Sequence, residues 1–311
     1  MAYKTTPATF FFCQGRVLCS REKHWIYHLV FASLLLLTSA GICSAQSKHF
    51  PQLGVCADLN QASLLKKHGY AFIQPTVAEA LLPLQPDSIF KSGEKVRKSE
   101  VPVLAANVFI PGSIKTTGPE VDEAKIAAYA TTVFQRARTL DIPIIVFGSG
   151  ASRKIPDGFS KDAAFKQFVS IGKRLAPIAA QYNIVLALES QNREECNFLN
   201  TVKECIEVAR AVDHPNYKIC VDIYHMMREN EPASVIAEAG SLVYHCDIGE
   251  KATRSAPGVA GDDFIPYFKA FQKIGYKGMI ALECRFKDMD AELPLAAKTI
   301  RKQWKQALQQ R

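Results

Sequence analysis

Four residues able to hold a metal ion or move a proton stand directly after four apolar runs. IVLAL ends in Glu189, YKICV in Asp222, SLVY in His245 and GMIAL in Glu283. Taken singly, each has a plain structural use: Asp222 as a helix cap, His245 as a hydrogen-bonded core histidine, either glutamate as a solvated rim residue. Gathered in one place they behave differently, because three crowded carboxylates repel one another and take up protons unless a cation neutralises them. Three oxygen donors with one imidazole suit Mn²⁺ first, with Co²⁺ or Mg²⁺ as alternatives, rather than the thiolate-rich sites that favour zinc. Carboxylates so placed could also serve as general acids and bases.

What must position them is a series of strands whose ends meet. After Gln46 the sequence predicts eight apolar, β-rich runs, at Leu53–Ala57, Tyr70–Gln74, Val101–Val108, Ile142–Phe147, Ile184–Leu188, Tyr217–Val221, Leu242–Tyr244 and Gly278–Leu282. Between them lie stretches with apolar residues three and four apart, at Asp122–Leu140, Asp162–Tyr182, Thr201–Val212 and Asp263–Ile274, and Asp290–Gln310 reads as a terminal amphipathic helix. Continuous apolar strands imply burial on both faces, as in a parallel sheet. Eight βα units in the 266 residues from 46 to 311 predict a single-domain α/β fold, a (β/α)₈ TIM barrel of the usual ~250 residues. An open doubly wound sheet is the alternative, but no GxGxxG follows the first strand. In a barrel the C-terminal strand ends share one mouth, so residues 33, 23 and 38 positions apart in the chain become neighbours. Pro83 and Pro86 predict a loop in place of a second helix, and the proline- and glycine-bearing segment 109–121 would lie over the mouth, as a lid or a solvated loop.

The motifs around these residues have a recognisable form. Glu189-Ser-Gln-Asn192-Arg193-Glu194-Glu195, Asn200-Thr201, Asp222-Ile-Tyr-His225-Met226, His245, Arg254 with Pro257-Gly258, and Glu283 resemble the ketose 3-epimerases of the D-tagatose/D-psicose type. These belong to the xylose-isomerase-like barrel superfamily of sugar phosphate isomerases and epimerases. The resemblance runs residue by residue over about the last 130 positions; upstream it is one of βα rhythm. It implies that Glu189, Asp222, His245 and Glu283 hold the metal, and that Glu189 and Glu283 are also the acid/base pair. It further implies that Glu195, His225 and Arg254 hydrogen-bond the sugar oxygens. His245 to Pro257 is three residues longer than the epimerase spacing, so Arg254 is placed by its distance to Pro257-Gly258 and Lys251 is its rival.

The implied chemistry is demanding. A hydrogen beside a ketone is too weakly acidic for an unaided carboxylate, so a metal must stabilise the enediolate. Inversion then needs one proton removed from one face and another returned to the opposite face, work for two carboxylates. An aldose–ketose isomerase would use the same metal and one base, and an exported sugar-binding protein would keep the pocket without turnover. A nuclease on this barrel would need three metals and more histidines than His225 and His245 at strand ends.

Composition fits a small-molecule enzyme. Of 311 residues 48% are apolar and 22% charged, and 38 Lys+Arg against 30 Asp+Glu give +8. Residues 1–45 hold four basic residues and one acidic, which leaves +5 for 46–311. With no basic stripe, nucleic acid is excluded as a partner; the expected partner is a sugar, and homo-oligomerisation is left open. Residues 1–45 read as a signal peptide: Arg21 and Lys23 precede the uncharged run VFASLLLLTSAGI, and Ala45 sits at a cleavage edge. The protein would then be periplasmic or secreted with no membrane span after cleavage, a retained anchor being the alternative. Export favours a free or oxidised sugar over a phosphorylated one, although Gly249, Gly258 and Gly261 beside Arg254 could cradle a phosphate. Six cysteines remain beyond the signal without CxxC spacing, as expected of free thiols.

Overall fold

The computed structural model describes residues 49–309, which belong to one compact unit, Ser47–Arg311. The signal-peptide reading falls on residues 1–45, outside the described part. Eight parallel strands form the sheet: β1 Gln52–Cys56, β2 Phe72–Gln74, β3 Ala105–Ala106, β4 Ile144–Phe147, β5 Val185–Glu189, β6 Tyr217–Asp222, β7 Val243–Ile248 and β8 Met279–Leu282. Their order is β2-β1-β8-β7-β6-β5-β4-β3. Two isolated parallel bridges, Ile73 to Val103 and Thr76 to Asn107, join the remaining edges. The result is a TIM barrel.

The strands are short and buried on both faces, which is why they read as unbroken apolar runs: all four residues of β4 are buried, and so are Leu186–Glu189 of β5. The long helices start where capping chemistry allows. Asp122 accepts from Lys125 N and Ser160 from Ala163 N, and Thr201 forms a full capping box with Glu204. The helices Glu123–Thr139, Lys161–Gln181, Val202–Val212, Ile265–Lys273 and Met289–Gln309 lay their apolar faces on the barrel, where each fully buried Leu, Ile or Phe contributes about 1.5–3 kcal/mol.

Three local differences from expectation have physical causes. After β2 the chain makes short helical turns, Val77–Leu81, Asp87–Phe90 and Glu94–Arg97, rather than a plain loop; the first is capped by Thr76 and ends at Leu82 with φ +46°. Segment 109–121 is fastened rather than free. Thr116 N donates to Ser152 O, Thr117 Oγ1 to Arg153 O and Gly118 N to Gln167 Oε1, with Ile114, Thr116 and Thr117 buried. Finally, β7 runs to Ile248, four residues beyond the expected end at Tyr244. Ile219 pairs with Val243 and Cys220 with His245, so Tyr244 is an extra, bulged residue. Its side chain is exposed, and the apolar run stops at the polar His245 that follows.

No helix among the described residues is long and apolar enough to cross a membrane. The six described cysteines are free, four of them buried and Cys56 and Cys284 half-buried.

Candidate active site

The barrel register decides which residues share the mouth. Glu189 pairs with Cys220, and Asp222, two residues further along β6, pairs with Asp247. Asp247 in turn pairs with Ala281, two residues before Glu283. From β5 to β8 these acidic positions climb by two, none and two residues, as the stagger of a closed barrel, with a shear of about 8, requires. His245 breaks the climb. It pairs with Cys220, one layer below Asp222, so the residue level with Asp222 is Asp247, which the sequence reading missed.

Each side chain is held for a stated reason. Glu189 ends β5 beside Gly148, where a Cβ would lie 2.1 Å from Glu189 Oε2; only glycine leaves room for the carboxylate. Asp222 divides its oxygens: Oδ1 caps the helix Ile223–Arg228 by accepting from His225 N at 3.2 Å, and Oδ2 faces Arg254 Nη2 at 3.1 Å. The capping use therefore coexists with a place in the site. Glu283 follows β8, its backbone N donating to Ile248 O. Asp247 accepts from Gln74 Nε2 at 3.2 and 3.3 Å and from the Cys220 thiol at 3.4 Å. His245 Nε2 lies 2.7 Å from Gln74 Oε1 and 3.3 Å from Asp247 Oδ1. Both contacts are to acceptors, so His245 presents an N–H rather than a lone pair to the cluster.

The residues expected to meet a sugar line the same mouth. Arg254 Nη2 reaches Asp222 Oδ2 and Glu283 Oε2 (3.0 Å), Nη1 lies 3.6 Å from Glu195 Oε1, and Nε donates to Glu283 O. The guanidinium lies over the Tyr224 ring, 4.6 Å from its centre. Lys251 instead directs Nζ to Asn230 Oδ1 at 2.8 Å on the exposed side, so of the two it is Arg254 that meets the carboxylates. His225 Nδ1 accepts from Asn192 N at 3.1 Å, so the ring carries its proton on Nε2. That Nε2 is fully buried and without a hydrogen-bond partner, facing Asp222 Oδ2 at 3.4 Å, Glu189 Oε1 at 3.7 Å and Glu195 Oε2 at 4.0 Å.

The segment after β7 is organised by an acid. Glu250, fully buried, accepts from Ser255 Oγ and from the backbone N–H groups of Gly258, Ala260, Gly261 and Asp262. The amides of Gly258 and Gly261 that could have cradled a phosphate are thus already turned onto this carboxylate. Gly249 leaves no more room, since a Cβ there would lie 2.9 Å from Glu283 O. Arg254, in the left-handed region at φ +54°, is fixed by hydrogen bonds from its own N–H to Glu250 O and from Arg285 N to its carbonyl.

Charge is concentrated and short of compensation. Burial first, then the Glu283, Asp222 and Asp247 carboxylates, push Glu189 well above the usual carboxylate range. Burial raises Asp222 to about 6, with Arg254 opposing and Asp247 adding to the rise. Glu283 rises to about 8, again by burial, which the Arg254 charge only partly offsets. Arg254 is held protonated, because the surrounding carboxylates outweigh its own burial. Burial, then Arg254, lowers His225 to about 3, so its ring is neutral. A divalent cation fits this donor set: oxygen ligands crowded with more negative charge than one guanidinium balances, and a buried Nε2–H without a partner. Ligand atoms of Glu189, Asp222 and His225 lie within 4.8 Å of one another, as do those of Cys56, Asp247 and Glu283 and those of Cys220, His245 and Asp247.

Residues 62–309 match the family model described as xylose isomerase-like TIM barrel. D-psicose 3-epimerase of Ruminiclostridium cellulolyticum is 28% identical over 173 residues, 54% of this chain and 58% of that protein. L-ribulose 3-epimerase of Methylomonas sp. is 36% identical over 116 residues, 37% of this chain and 40% of that protein. The matches thus span from under half to somewhat over half of these relatives. Among solved structures, an L-ribulose 3-epimerase superposes with a TM-score of 0.70 at 17% identity, covering 84% of this chain and 96% of that one, a likeness of fold. On the family match, this chain belongs to the xylose isomerase-like TIM barrel family.

Proposed function

We propose that this protein is a metal-dependent isomerase that epimerises a keto-sugar through an enediolate, 3-epimerisation foremost. The observation that carries the proposal is the pair Glu189 and Glu283. They come from β5 and β8, three strands apart around the mouth, and both are held by burial above the ordinary carboxylate range, nearer the pH at which a general acid/base exchanges protons efficiently. The relatives named above as 3-epimerases support the same reading.

A divalent ion, Mn²⁺ first and Co²⁺ or Mg²⁺ next, would be held by Glu189, Asp222 and Glu283 and would supply the charge that stabilises an enediolate. The chain does the rest. One glutamate takes the proton beside the carbonyl while the other returns one from the opposite side, so the carbon inverts. His225 donates its Nε2–H to a sugar oxygen as a neutral group, so it adds no charge to an already crowded mouth. Arg254 and Glu195 fix further hydroxyls from the rim. With the Gly258 and Gly261 amides committed to Glu250, the substrate is an unphosphorylated sugar, which agrees with an exported, periplasmic or secreted protein. The test is turnover with a panel of free ketoses before and after chelation. Activity is expected to vanish with the metal and return with Mn²⁺ or Co²⁺; full turnover by metal-free protein would overturn the assignment.

A further inference from the structure

We propose that the fourth oxygen-bearing arm of the metal site is Asp247, so that the ion is held by carboxylates alone and the site is shifted toward hard cations, Mg²⁺ and Mn²⁺, relative to one with an imidazole arm. This rests on the metal-dependent reading above and goes beyond it in naming the ligand and the cation class. Three observations carry it. Asp247 is level with Asp222 and continues the climb from Glu189 to Glu283, whereas His245 lies a layer deeper. His245 turns its Nε2 to Gln74 Oε1 and Asp247 Oδ1, and a nitrogen donating a hydrogen bond has no lone pair for a metal. Gln74 passes the restraint on, giving its amide hydrogens to both oxygens of Asp247, the arrangement by which outer partners orient a ligand.

A second feature points to a ligand independently of the acidic cluster. The fully buried, unpartnered His225 Nε2 aims into the same space, where a sugar oxygen beside the cation would accept its proton. The thiols of Cys56 and Cys220 lie 3.9 and 3.4 Å from the two Asp247 oxygens, so they donate to that carboxylate rather than compete for the ion. Replacing an imidazole by a carboxylate moves a site toward the hard end of the cation series and narrows the advantage that Zn²⁺ otherwise holds over Mn²⁺.

The experiment is Mn²⁺ titration of the full chain followed by electron paramagnetic resonance, with Zn²⁺ competition and pulsed detection of nitrogen coupling. Wild type should bind Mn²⁺ with no nitrogen coupling from an imidazole ligand. Asp247→His should introduce that coupling and raise the Zn²⁺-to-Mn²⁺ affinity ratio, and Gln74→Leu should weaken Mn²⁺ about tenfold through the lost orientation of Asp247. Nitrogen coupling in wild type that disappears in His245→Gln, or Zn²⁺ affinity that collapses in Cys56→Ser, would overturn this ligand set and leave the metal-dependent reading standing. Failure of wild type to bind Mn²⁺ at all would overturn both.

Discussion

Asp222 shows how much one side chain does here. One oxygen caps the start of a helix and the other faces the cluster, so a residue with an ordinary structural use also stands among the clustered carboxylates. The same double character gives a titration signature. Asp222 and Glu283 have folded-state values of about 6 and about 8, above the ~4 of unfolded carboxylates. For an acid raised in this way the folded state binds more protons than the unfolded one, so stability is full at low pH and is lost as pH rises through the folded values. The metal-free protein is therefore expected to melt at progressively lower temperature from about pH 5 to pH 8, and added Mn²⁺ should reverse the loss at the alkaline end. A thermal-denaturation series with and without the ion checks this; a metal-free melting temperature that climbs across the interval would contradict the crowding of buried carboxylates.

The loop after β7 is the element that fixes Arg254. Glu250 gathers four backbone amides and a hydroxyl, and its own backbone carbonyl receives Arg254 N–H. Glu250→Gln keeps the size but exchanges one acceptor oxygen for a donor among donors, so the loop should open and Arg254 lose its fixed left-handed backbone. The expected result is a KM for the ketose raised about tenfold or more, as for lost outer-partner orientation, with metal content unchanged. Unchanged KM with lowered metal content would mean that the loop serves the cation instead. β7 itself explains why Asp247, level with Asp222, was not singled out in the sequence. In one-letter order VYHCDI alternates poorly because bulged Tyr244 faces outward, so the run seems to end before His245 when it extends to Ile248. Counting by twos from His245 would have reached Asp247, since the two share a face of the strand; nothing in the sequence marks the bulge.

At the level of the whole molecule, the barrel was legible because parallel strands buried on both faces leave eight apolar runs that helices separate at regular intervals. Even β3, two residues long, was visible through the apolar stretch around it. Glu189, Asp222 and Glu283 were legible for the same reason, each standing where an apolar run stops. Gln74 was not: it ends β2 as a buried amide, a residue type with no motif of its own, and only the closure of the ring brings it to Asp247. Arg254 is placed ahead of Lys251 by its distance to Pro257-Gly258, and the backbone turn that carries it to the carboxylates is a property of the Glu250 cradle rather than of either side chain.

In the proposed reaction two glutamates on opposite sides of one sugar carbon exchange its proton. Metal-loaded protein incubated with a panel of free ketoses in D₂O tests it most directly. Deuterium is predicted at the inverted carbon from the first turnovers, because the returning proton comes from a carboxylate already exchanged with solvent. Glu189→Gln and Glu283→Gln should each abolish inversion, while one of them still exchanges the hydrogen from a single face. Conversion that carries the original hydrogen to the neighbouring carbon would contradict the account, as would inversion surviving the loss of either glutamate.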